Sequence, residues 1–218
     1  MPASAPRVAL VDYGAGNLRS VAKALERSGM SVDVTSDPSA IARAEGVVLP
    51  GVGAFADARA SLAAKSLDDA VLGALDRGRP YLGLCLGLQL LFDEADEHGT
   101  TPGFARCRGR VERFPDHGRD GARLLVPHIG WNEVRWVKSG NHPMLAALPE
   151  RDHYYFVHSY RPVAADADTV VGWTDYGGEF AAAVAKEGIF AVQFHPEKSQ
   201  AAGKRLLDAY AQWVSSCR

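Results

Sequence analysis

In the first part of the chain, short apolar runs alternate with stretches in which apolar residues recur at helical spacing. The runs predict buried strands, and the stretches predict helices that pack on them. The predicted strands are residues 7–13, 32–35, 46–50 and a strand that begins at 81, and the predicted helices are residues 18–29, 38–44, 54–64 and 67–77. This alternation is typical of a mostly parallel sheet with helices on both faces and right-handed crossovers.

The pattern changes after residue 99. Apolar residues now recur in segments separated by turns, which predicts strands joined by hairpins or loops. These segments are residues 107–114, 133–137, 153–156, 169–173, 180–185 and 189–194, and an amphipathic helix from residue 198 closes the chain. We therefore expect an additional antiparallel region beside the parallel sheet. The length suits a single α/β domain over residues 1–218, although it also admits two small ones.

One stretch, YLGLCLGLQLLF over residues 81–92, begins as a buried strand and ends as an apolar helix, with Cys85 at the bend. Gly83 and Gly87 flank the cysteine at i−2 and i+2, which is the pattern of a nucleophile elbow. Such a turn forces strained backbone angles and leaves no room for neighbouring side chains. Free N–H groups of the following helix, notably that of Leu86, would favour the thiolate and later face an oxyanion. An isolated cysteine is more often a core residue, but core packing does not require both glycines.

A second glycine-rich turn, PGVG over residues 50–53, follows the third predicted strand. It would present bare backbone at the carboxyl edge of the sheet, where open α/β sheets bind ligands. By itself the turn is equally well an ordinary surface loop. Next to Cys85, the amide of Val52 would be a second oxyanion donor beside that of Leu86.

A base for the cysteine is predicted at the end of the last apolar strand, in AVQFHPEKS over residues 191–199. In extended backbone, residues i and i+2 point to the same side, so His195 and Glu197 would project together, with Pro196 fixing the path between them. A carboxylate beside an imidazole selects its tautomer and stabilises the imidazolium formed when the ring takes a thiol proton. In isolation the pair is more often an incidental feature of a surface turn, but an elbow cysteine in the same chain favours catalysis.

Other candidate residues lack the neighbours that catalysis or ligand binding would require. Ser159 lies beside His158 but lacks an elbow, and His128 sits among the expected loop residues 127–132 with no companion carboxylate, so we expect neither serine chemistry nor a base at these positions. No second histidine accompanies His195 at metal-ligand spacing, so no metal and no other cofactor is expected. The glycines before Asn17 lack the third glycine of a dinucleotide fingerprint, and Asn17 is by default a helix N-cap.

Composition narrows the class of protein. The 218 residues carry 24 Lys and Arg against 26 Asp and Glu, a balance that gives no electrostatic footprint for nucleic acid or an anionic membrane. The three cysteines lack the spacing of a zinc ribbon or a disulfide framework. The N-terminus lacks the apolar core of a signal peptide, and the apolar runs are too short to span a bilayer. We expect a soluble cytoplasmic protein.

In combination, these motifs resemble those of the class I, triad-type glutamine amidotransferases. The shared elements are the 50–53 loop, the Gly83-x-Cys85-x-Gly87-x-Gln89 elbow and the late His195-Pro196-Glu197. DYGAGNLRS at residues 12–20, PHIGWN at 127–132 and HPEKS at 195–199 are similar to the glutaminase subunits of imidazole glycerol phosphate synthases, in histidine biosynthesis. The likeness runs along nearly the whole chain and implies the flavodoxin-like α/β fold of that class.

The resemblance implies an enzyme that hydrolyses L-glutamine to glutamate and ammonia through a γ-glutamyl thioester. Cys85 would attack the side-chain amide, His195 would carry the proton to ammonia, and Glu197 would orient His195. The amides of Val52 and Leu86 would hold the oxyanion, after a flip of the Val52 peptide. The residues implied to contact glutamine are Gly53, Gln89, Glu97, His158, Ser159 and Tyr160.

The resemblance also implies a protein partner. Asn17, Asn132, Tyr155 and Lys198 would lie towards a cyclase subunit, a (β/α)8 barrel bound in a 1:1 heterodimer. Ammonia would pass to the barrel through a protected channel and give imidazole glycerol phosphate and AICAR.

Three alternatives remain open at this point. The chain would also suit a glutaminase subunit of another amidotransferase, such as pyridoxal phosphate synthase. A cysteine hydrolase or peptidase of the same architecture is the second, and it does not explain the Gly-Trp-Asn of residues 130–132. A binding module with a structural Cys85 is the third.

Overall fold

The computed structural model describes residues 4–137 and 142–217. The strands are β1 (Arg7–Val11), β2 (Ser31–Thr35), β3 (Gly46–Leu49), β4 (Tyr81–Leu84), β5 (Glu94–Ala95), β6 (Thr101–Pro102), β7 (Gly109–Arg113), β8 (His128–Trp136), β9 (Arg151–His158), β10 (Tyr160–Ala164), β11 (Val170–Asp175), β12 (Glu179–Lys186) and β13 (Ile189–Val192). The helices are α1 (Leu18–Arg27), α2 (Pro38–Arg43), α3 (Phe55–Ala64), α4 (Leu67–Asp76), α5 (Leu86–Gln89), α6 (Pro143–Ala146) and α7 (Gln200–Ser216). None of the helices in these ranges is long and apolar enough to cross a bilayer.

A nine-stranded sheet of order β2-β1-β3-β4-β13-β12-β11-β8-β9 forms the centre of the fold. The pairings from β2 to β13 are parallel, and those from β13 to β9 are antiparallel. The α/β class is therefore confirmed, but the sheet is mixed rather than mostly parallel. The expected antiparallel strands extend the parallel sheet, and β10-β7-β5-β6 form a second sheet that is not hydrogen bonded to the first.

The two faces of the parallel part enter different cores, because successive strand residues point to opposite sides. Val8 and Leu10 of β1 belong to a core that includes buried residues of α1 and α7. Ala9 and Val11 belong to another, which includes buried residues of α2, α3 and α4. The helices thus cover both faces, as the alternating pattern predicts.

The helix after the elbow is shorter than predicted. We expected helix through residue 92, but α5 is one turn that ends at Gln89. The carbonyls of residues 90–92 accept hydrogen bonds from N–H groups of residues 104–107 instead of continuing a helical ladder. This non-local segment competes for the carbonyls, and the local apolar pattern does not reveal it.

Two boundaries in the second half also differ from prediction, and two further elements were missed. The strand expected over 133–137 begins at His128, so the segment taken for a loop is part of β8. The closing helix begins at Gln200 rather than at residue 198, because Pro196–Lys198 form a 3-10 turn. Strand β10 and helix α6 were not predicted. The hairpin connections expected between β11, β12 and β13 are present.

Candidate active site

Cys85 lies at the turn between β4 and α5 with φ 53° and ψ −103°, angles that L residues rarely adopt. A Cβ atom on Gly83 would lie 2.6 Å from the carbonyl oxygen of Gly87, and one on Gly87 would overlap the Leu49 carbonyl. The closeness of the backbone therefore requires both flanking glycines, which is the local geometry that the elbow pattern predicts.

At the elbow, single N–H donors can stabilise negative charge, whereas the dipole of the short helix contributes little. Leu86 is the first residue of α5, so its N–H has no intrahelical acceptor. A single turn aligns few peptide dipoles, and the macrodipole expected from a longer helix is correspondingly small. The Leu86 amide is thus the donor beside Cys85 that the geometry favours for an oxyanion.

His195 and Glu197 project together from the 3-10 turn that follows β13. Nδ1 of His195 donates to Oε1 of Glu197 at 2.8 Å, with side chains that are 5% and 3% exposed. Ser199 fixes this turn, since its hydroxyl donates to the His195 carbonyl at 2.7 Å and accepts from the Tyr155 N–H at 3.0 Å. With Nδ1 committed to the carboxylate, Nε2 is the ring nitrogen left for chemistry.

Burial alone would lower the pKa of His195, but Cys85 and Glu197 outweigh it and raise that pKa above its ordinary value. Within residues 4–137 and 142–217, Nε2 has no partner in hydrogen-bond geometry. The contact between Nε2 and the sulfur therefore lies outside strict hydrogen-bond geometry, and catalytic hydrogen bonds are often long before substrate binds. Cys85 and Glu197 together favour the imidazolium form of His195.

Gln193 is a site residue that the sequence reasoning missed. Its Nε2 lies 3.5 Å from Sγ of Cys85, and its Oε1 accepts from Nε2 of Gln89 at 3.1 Å. The side chain is fully buried. The signal was available: Gln193 precedes His195 by two positions, and residues two apart in extended backbone point to the same side.

A cavity of about 340 Å³ opens beside Cys85. Its lining comes from the elbow, the 50–53 loop, the acidic segment after the elbow and the link between β9 and β10. The lining residues are Val52, Gly53, Cys85, Leu86, Gln89, Glu97, Pro127, Val157, His158, Ser159 and Tyr160. The oxyanion and glutamine-contact residues expected from the resemblance thus surround one cavity, whose size is at the small end of the roughly 300–1,000 Å³ of ligand pockets.

Glu97 connects two walls of this cavity. Its Oε2 accepts from the N–H of Phe55 at 2.6 Å, at the first residue of α3. Among the described residues, the helix receives no capping bond from the side chain of its own N-cap, Ala54. The carboxylate of Glu97 therefore caps α3 from outside and holds the end of the 50–53 loop in place.

The 50–53 loop packs against a tyrosine that the sequence reasoning did not select. A Cβ atom on Gly51 would lie 2.7 Å from the Tyr13 hydroxyl, so the phenol lies directly against the loop. Burial and the charge of Cys85 raise the pKa of Tyr13 to about 12, and the Val52 backbone opposes them. Among the described residues, the hydroxyl has no partner in hydrogen-bond geometry, so the expected flip of the Val52 peptide stays a prediction.

The four residues expected to face a partner are Asn17, Asn132, Tyr155 and Lys198. Lys198 Nζ lies 5.6 Å from the Tyr155 ring centroid, and Trp131 meets Tyr155 edge to face at 6.4 Å. Ile129 and Trp131 are 59% and 47% exposed, and together with Tyr155 and Lys198 they form what we call the apolar patch. Asn17 is exposed and caps α1 through Ser20, whereas Asn132 is half-buried.

The described part of the chain contains no group of three or more His, Cys, Asp or Glu side chains arranged to hold a metal ion. Cys85, Cys107 and Cys217 are free thiols. The chemistry that the cavity supports therefore rests on the sulfur of Cys85, the imidazole of His195 and the carboxylate of Glu197.

Comparisons with known proteins agree with this geometry. A sequence profile of the glutamine amidotransferase class-I family matches residues 9–210. The imidazole glycerol phosphate synthase subunit HisH of Moorella thermoacetica is 46% identical over 207 residues, 95% of each chain. The protein of the same name from Aromatoleum aromaticum is 48% identical over 212 residues, covering 95% of this chain and 98% of that one.

Solved structures share the fold at low sequence identity. The glutaminase domain of Trypanosoma brucei CTPS with bound acivicin has a TM-score of 0.69 at 19% identity, covering 97% of this chain and 94% of that one. The PurLQS structure from Thermotoga maritima gives 0.70 at 21% identity, covering 96% and 99%.

Proposed function

The chain belongs to the class-I glutamine amidotransferase family, and we propose that it is a glutaminase subunit of imidazole glycerol phosphate synthase. In that role it hydrolyses L-glutamine and supplies ammonia for histidine biosynthesis. The observation that carries the proposal is the 2.8 Å bond between His195 and Glu197 beside the strained elbow of Cys85. Near-full-length relatives at 46–48% identity support the subfamily.

In the first half of the reaction, the Cys85 thiolate attacks the side-chain carbonyl carbon of glutamine. The electron pair of that carbonyl moves to oxygen, where the amides of Leu86 and Val52 stabilise the charge. His195, held by Glu197, gives its proton to the leaving nitrogen. Ammonia departs and a γ-glutamyl thioester remains on Cys85.

In the second half, water replaces ammonia. His195, now neutral, takes a proton from the water as its oxygen attacks the thioester carbonyl. The carbon–sulfur bond breaks, glutamate leaves, and the thiolate and imidazolium are restored. A reducing cytoplasm would keep Cys85 as the free thiol that this cycle needs.

Glutamine is held by the cavity walls. Glu97 lies where it would meet the amino group of the substrate, while Gln89 and the backbone of residues 158–160 would hold its carboxylate and amide ends. Gly53 lines the mouth of the cavity. These contacts position the reacting carbon over the sulfur, which is the main contribution of substrate-binding groups to the rate.

A cyclase subunit is the proposed partner, a (β/α)8 barrel in a 1:1 complex. It would cover the apolar patch with Asn17 and Asn132, and receive ammonia through an enclosed channel to form imidazole glycerol phosphate and AICAR. Alone, the glutaminase would be slow, because the Val52 peptide would have to turn before its N–H could hold the oxyanion. The cyclase and its ribotide substrate would favour the turned peptide.

Ammonia release from glutamine, measured alone and with the cyclase and its ribotide, tests the proposal. We expect stimulation by the partner, and loss of turnover in Cys85→Ala. Cys107→Ala is the matched control, since Cys107 is also a buried free cysteine but lies outside the cavity. Full turnover in Cys85→Ala would contradict the mechanism. Stimulation by a pyridoxal phosphate synthase instead of the cyclase would point to the other amidotransferase, and turnover of peptides or esters without glutamine would point to a hydrolase.

A further inference from the structure

Two buried histidines outside the triad are hydrogen bonded to each other. His128 of β8 and His158 of β9 are a cross-strand pair, and Nδ1 of His128 lies 3.0 Å from Nε2 of His158. The His128 ring is stacked between Tyr176 and Phe156, with centroids 4.0 and 4.9 Å away. Burial lowers the pKa of His128 to about 4 and that of His158 to about 3. Both rings are therefore neutral near pH 7, and each carries one hydrogen.

The partners of the two rings fix where those hydrogens lie. Nδ1 of His158 is 2.8 Å from the carbonyl oxygen of Tyr160, which only accepts, so this nitrogen carries the hydrogen. Nε2 of His158 must then accept from Nδ1–H of His128. Nε2 of His128 in turn accepts from the amide of Asn132, at 3.4 Å. The hydrogen bonds between these four groups therefore all run in the same direction, from the Asn132 amide to the Tyr160 carbonyl.

Backbone groups fix the amide of Asn132 in the matching orientation. Its Oδ1 accepts from the N–H of Glu133 at 2.9 Å, and its Nδ2 donates to the carbonyl of Asp175 at 2.8 Å. The amide nitrogen is therefore the atom that faces His128. We call the chain from Asn132 through His128 and His158 to the Tyr160 carbonyl the polar relay.

The polar relay ends in the glutamine cavity. The Tyr160 carbonyl also accepts from Nε2 of Gln89 at 2.9 Å, so both of its lone pairs are in use. The other hydrogen of that Gln89 amide goes to Gln193, which donates to Cys85. A carbonyl that two protein donors saturate has no acceptor capacity left for a substrate N–H.

We propose that the polar relay couples partner binding on β8 to the acceptor capacity of the Tyr160 carbonyl, with His128 and His158 as positioning residues. This inference rests on the proposed function. A partner seated on Trp131 acts on the strand that carries Asn132 and His128. If the partner breaks the bonds of Asn132 to Glu133 and Asp175 and its amide turns, Nε2 of His128 must carry a hydrogen, and its Nδ1 then faces the acceptor on His158. The pair holds together only if His158 also changes tautomer: the Nδ1 proton of His128 passes to Nε2 of His158, the Nδ1 proton of His158 leaves to water in the cavity, and Nε2 of His128 takes one from water. Nδ1 of His158 then faces the Tyr160 carbonyl as a second acceptor, so this state is favoured when an N–H of glutamine donates to that carbonyl.

The relay thus has two states, because each ring has two neutral tautomers and a mixed arrangement places either two acceptors or two donors face to face between the rings. Such a bistable element is the physical requirement for coupling between separate sites. A structural role for the two histidines would need satisfied hydrogen bonds only. It would not need the direction of those bonds to change with the partner.

Variants of His128 test the relay in the full complex. His128→Phe keeps a ring between Tyr176 and Phe156 and removes both links, while His128→Gln keeps a polar side chain if the first variant is unstable. His142→Phe is the matched control, since burial also lowers the pKa of His142 to about 4 and it packs against Trp213. The readouts are kcat and KM for glutamine with and without the cyclase and its ribotide.

We expect stimulation by the partner to fall about tenfold in both His128 variants, a typical coupling free energy, with unstimulated turnover retained. His142→Phe should keep the wild-type ratio. A wild-type ratio in a folded His128 variant would overturn the relay and leave the glutaminase proposal intact. Absence of glutamine turnover in the wild-type complex would overturn both. As a measurement without substitutions, the ring ¹⁵N shifts of His128 and His158 should exchange their Nδ1 and Nε2 character on addition of the cyclase, and unchanged shifts would reject the relay.

Discussion

Nδ1 of His195 donates to Oε1 of Glu197 at 2.8 Å, and both side chains are almost wholly buried. Glu197→Gln removes the charge and one of the two groups that raise the pKa of His195. We expect kcat to fall roughly 10²-fold, the scale of general acid–base catalysis. The alkaline limb of the pH profile reports loss of the imidazolium, so it should move to lower pH. An unchanged limb in the variant would mean that Glu197 does not act on His195.

Gln193 is expected to stabilise the Cys85 thiolate, because its amide hydrogen points at the sulfur. Gln193→Met removes the donor at similar volume. A hydrogen bond to a charged group contributes about 1.5–3 kcal/mol, so alkylation of Cys85 by iodoacetamide at pH 7 should slow by about tenfold or more. An unaltered alkylation rate across pH would show that the 3.5 Å contact does not bear on the thiolate.

Glu97 is predicted to combine two roles that a pair of variants separates. Glu97→Gln keeps an acceptor for the Phe55 N–H but loses the charge, so KM for glutamine should rise about tenfold with little change in the free energy of unfolding. Glu97→Ala also removes the cap and should lower that free energy by about 1 kcal/mol. Equal KM values for wild type and Glu97→Gln would remove Glu97 from the glutamine site.

The apolar patch is the predicted contact with the cyclase. Trp131→Ala should weaken the complex by about 2 kcal/mol or more, as truncation of a central aromatic anchor does. Val163→Ala is the control, since Val163 is 40% exposed and lies on β10 of the second sheet. Titration of each variant with the cyclase, followed calorimetrically, gives the two affinities, and equal losses would place the interface elsewhere.

Acid should destabilise the protein through His128 and His158. Both are neutral in the fold because burial lowers the pKa of each, to about 4 and about 3, whereas the unfolded chain takes up protons below about 6.5. Their stabilising contribution is therefore complete above pH 6.5 and is lost as the pH falls towards 4. We expect these two rings to lower the free energy of unfolding, from urea denaturation, by about 3–4 kcal/mol between pH 7 and 5. His142, whose pKa burial also lowers to about 4, should add to the drop. A smaller drop in His128→Gln would assign part of it to His128, and an equal drop would not.

The candidate site was predicted mainly from patterns of residues that are close together in the sequence. The spacing of Gly83 and Gly87 around Cys85 predicted the strained turn, since the backbone contacts that exclude a Cβ atom lie within a few residues or beside β3. The close spacing of His195 and Glu197 likewise predicted that they would pair, although a 3-10 turn rather than the expected extended backbone brings them together. Convergence of the two groups depends on β13 lying parallel to β4, a pairing between distant segments that the resemblance, not the spacing, implied.

The features that the sequence reasoning missed depend on contacts between segments that are distant in the chain. His128 had no partner in sequence, because the residue it contacts is opposite it on β9. We expected a loop over residues 127–132, but pairing with β9 makes residues 128–132 part of β8. The early end of α5 was missed for a similar reason. The carbonyls of residues 90–92, which a longer helix would use, accept hydrogen bonds from residues 104–107 instead.

Covalent trapping of Cys85 tests the central claim most directly. The full complex with the cyclase and its ribotide is treated with 6-diazo-5-oxo-L-norleucine, an electrophilic glutamine analogue, and digested for mass spectrometry. The account predicts one adduct, on the peptide that contains Cys85, with Cys107 and Cys217 unmodified and with protection by excess glutamine. An unlabelled Cys85 in a complex that still releases ammonia from glutamine would contradict it.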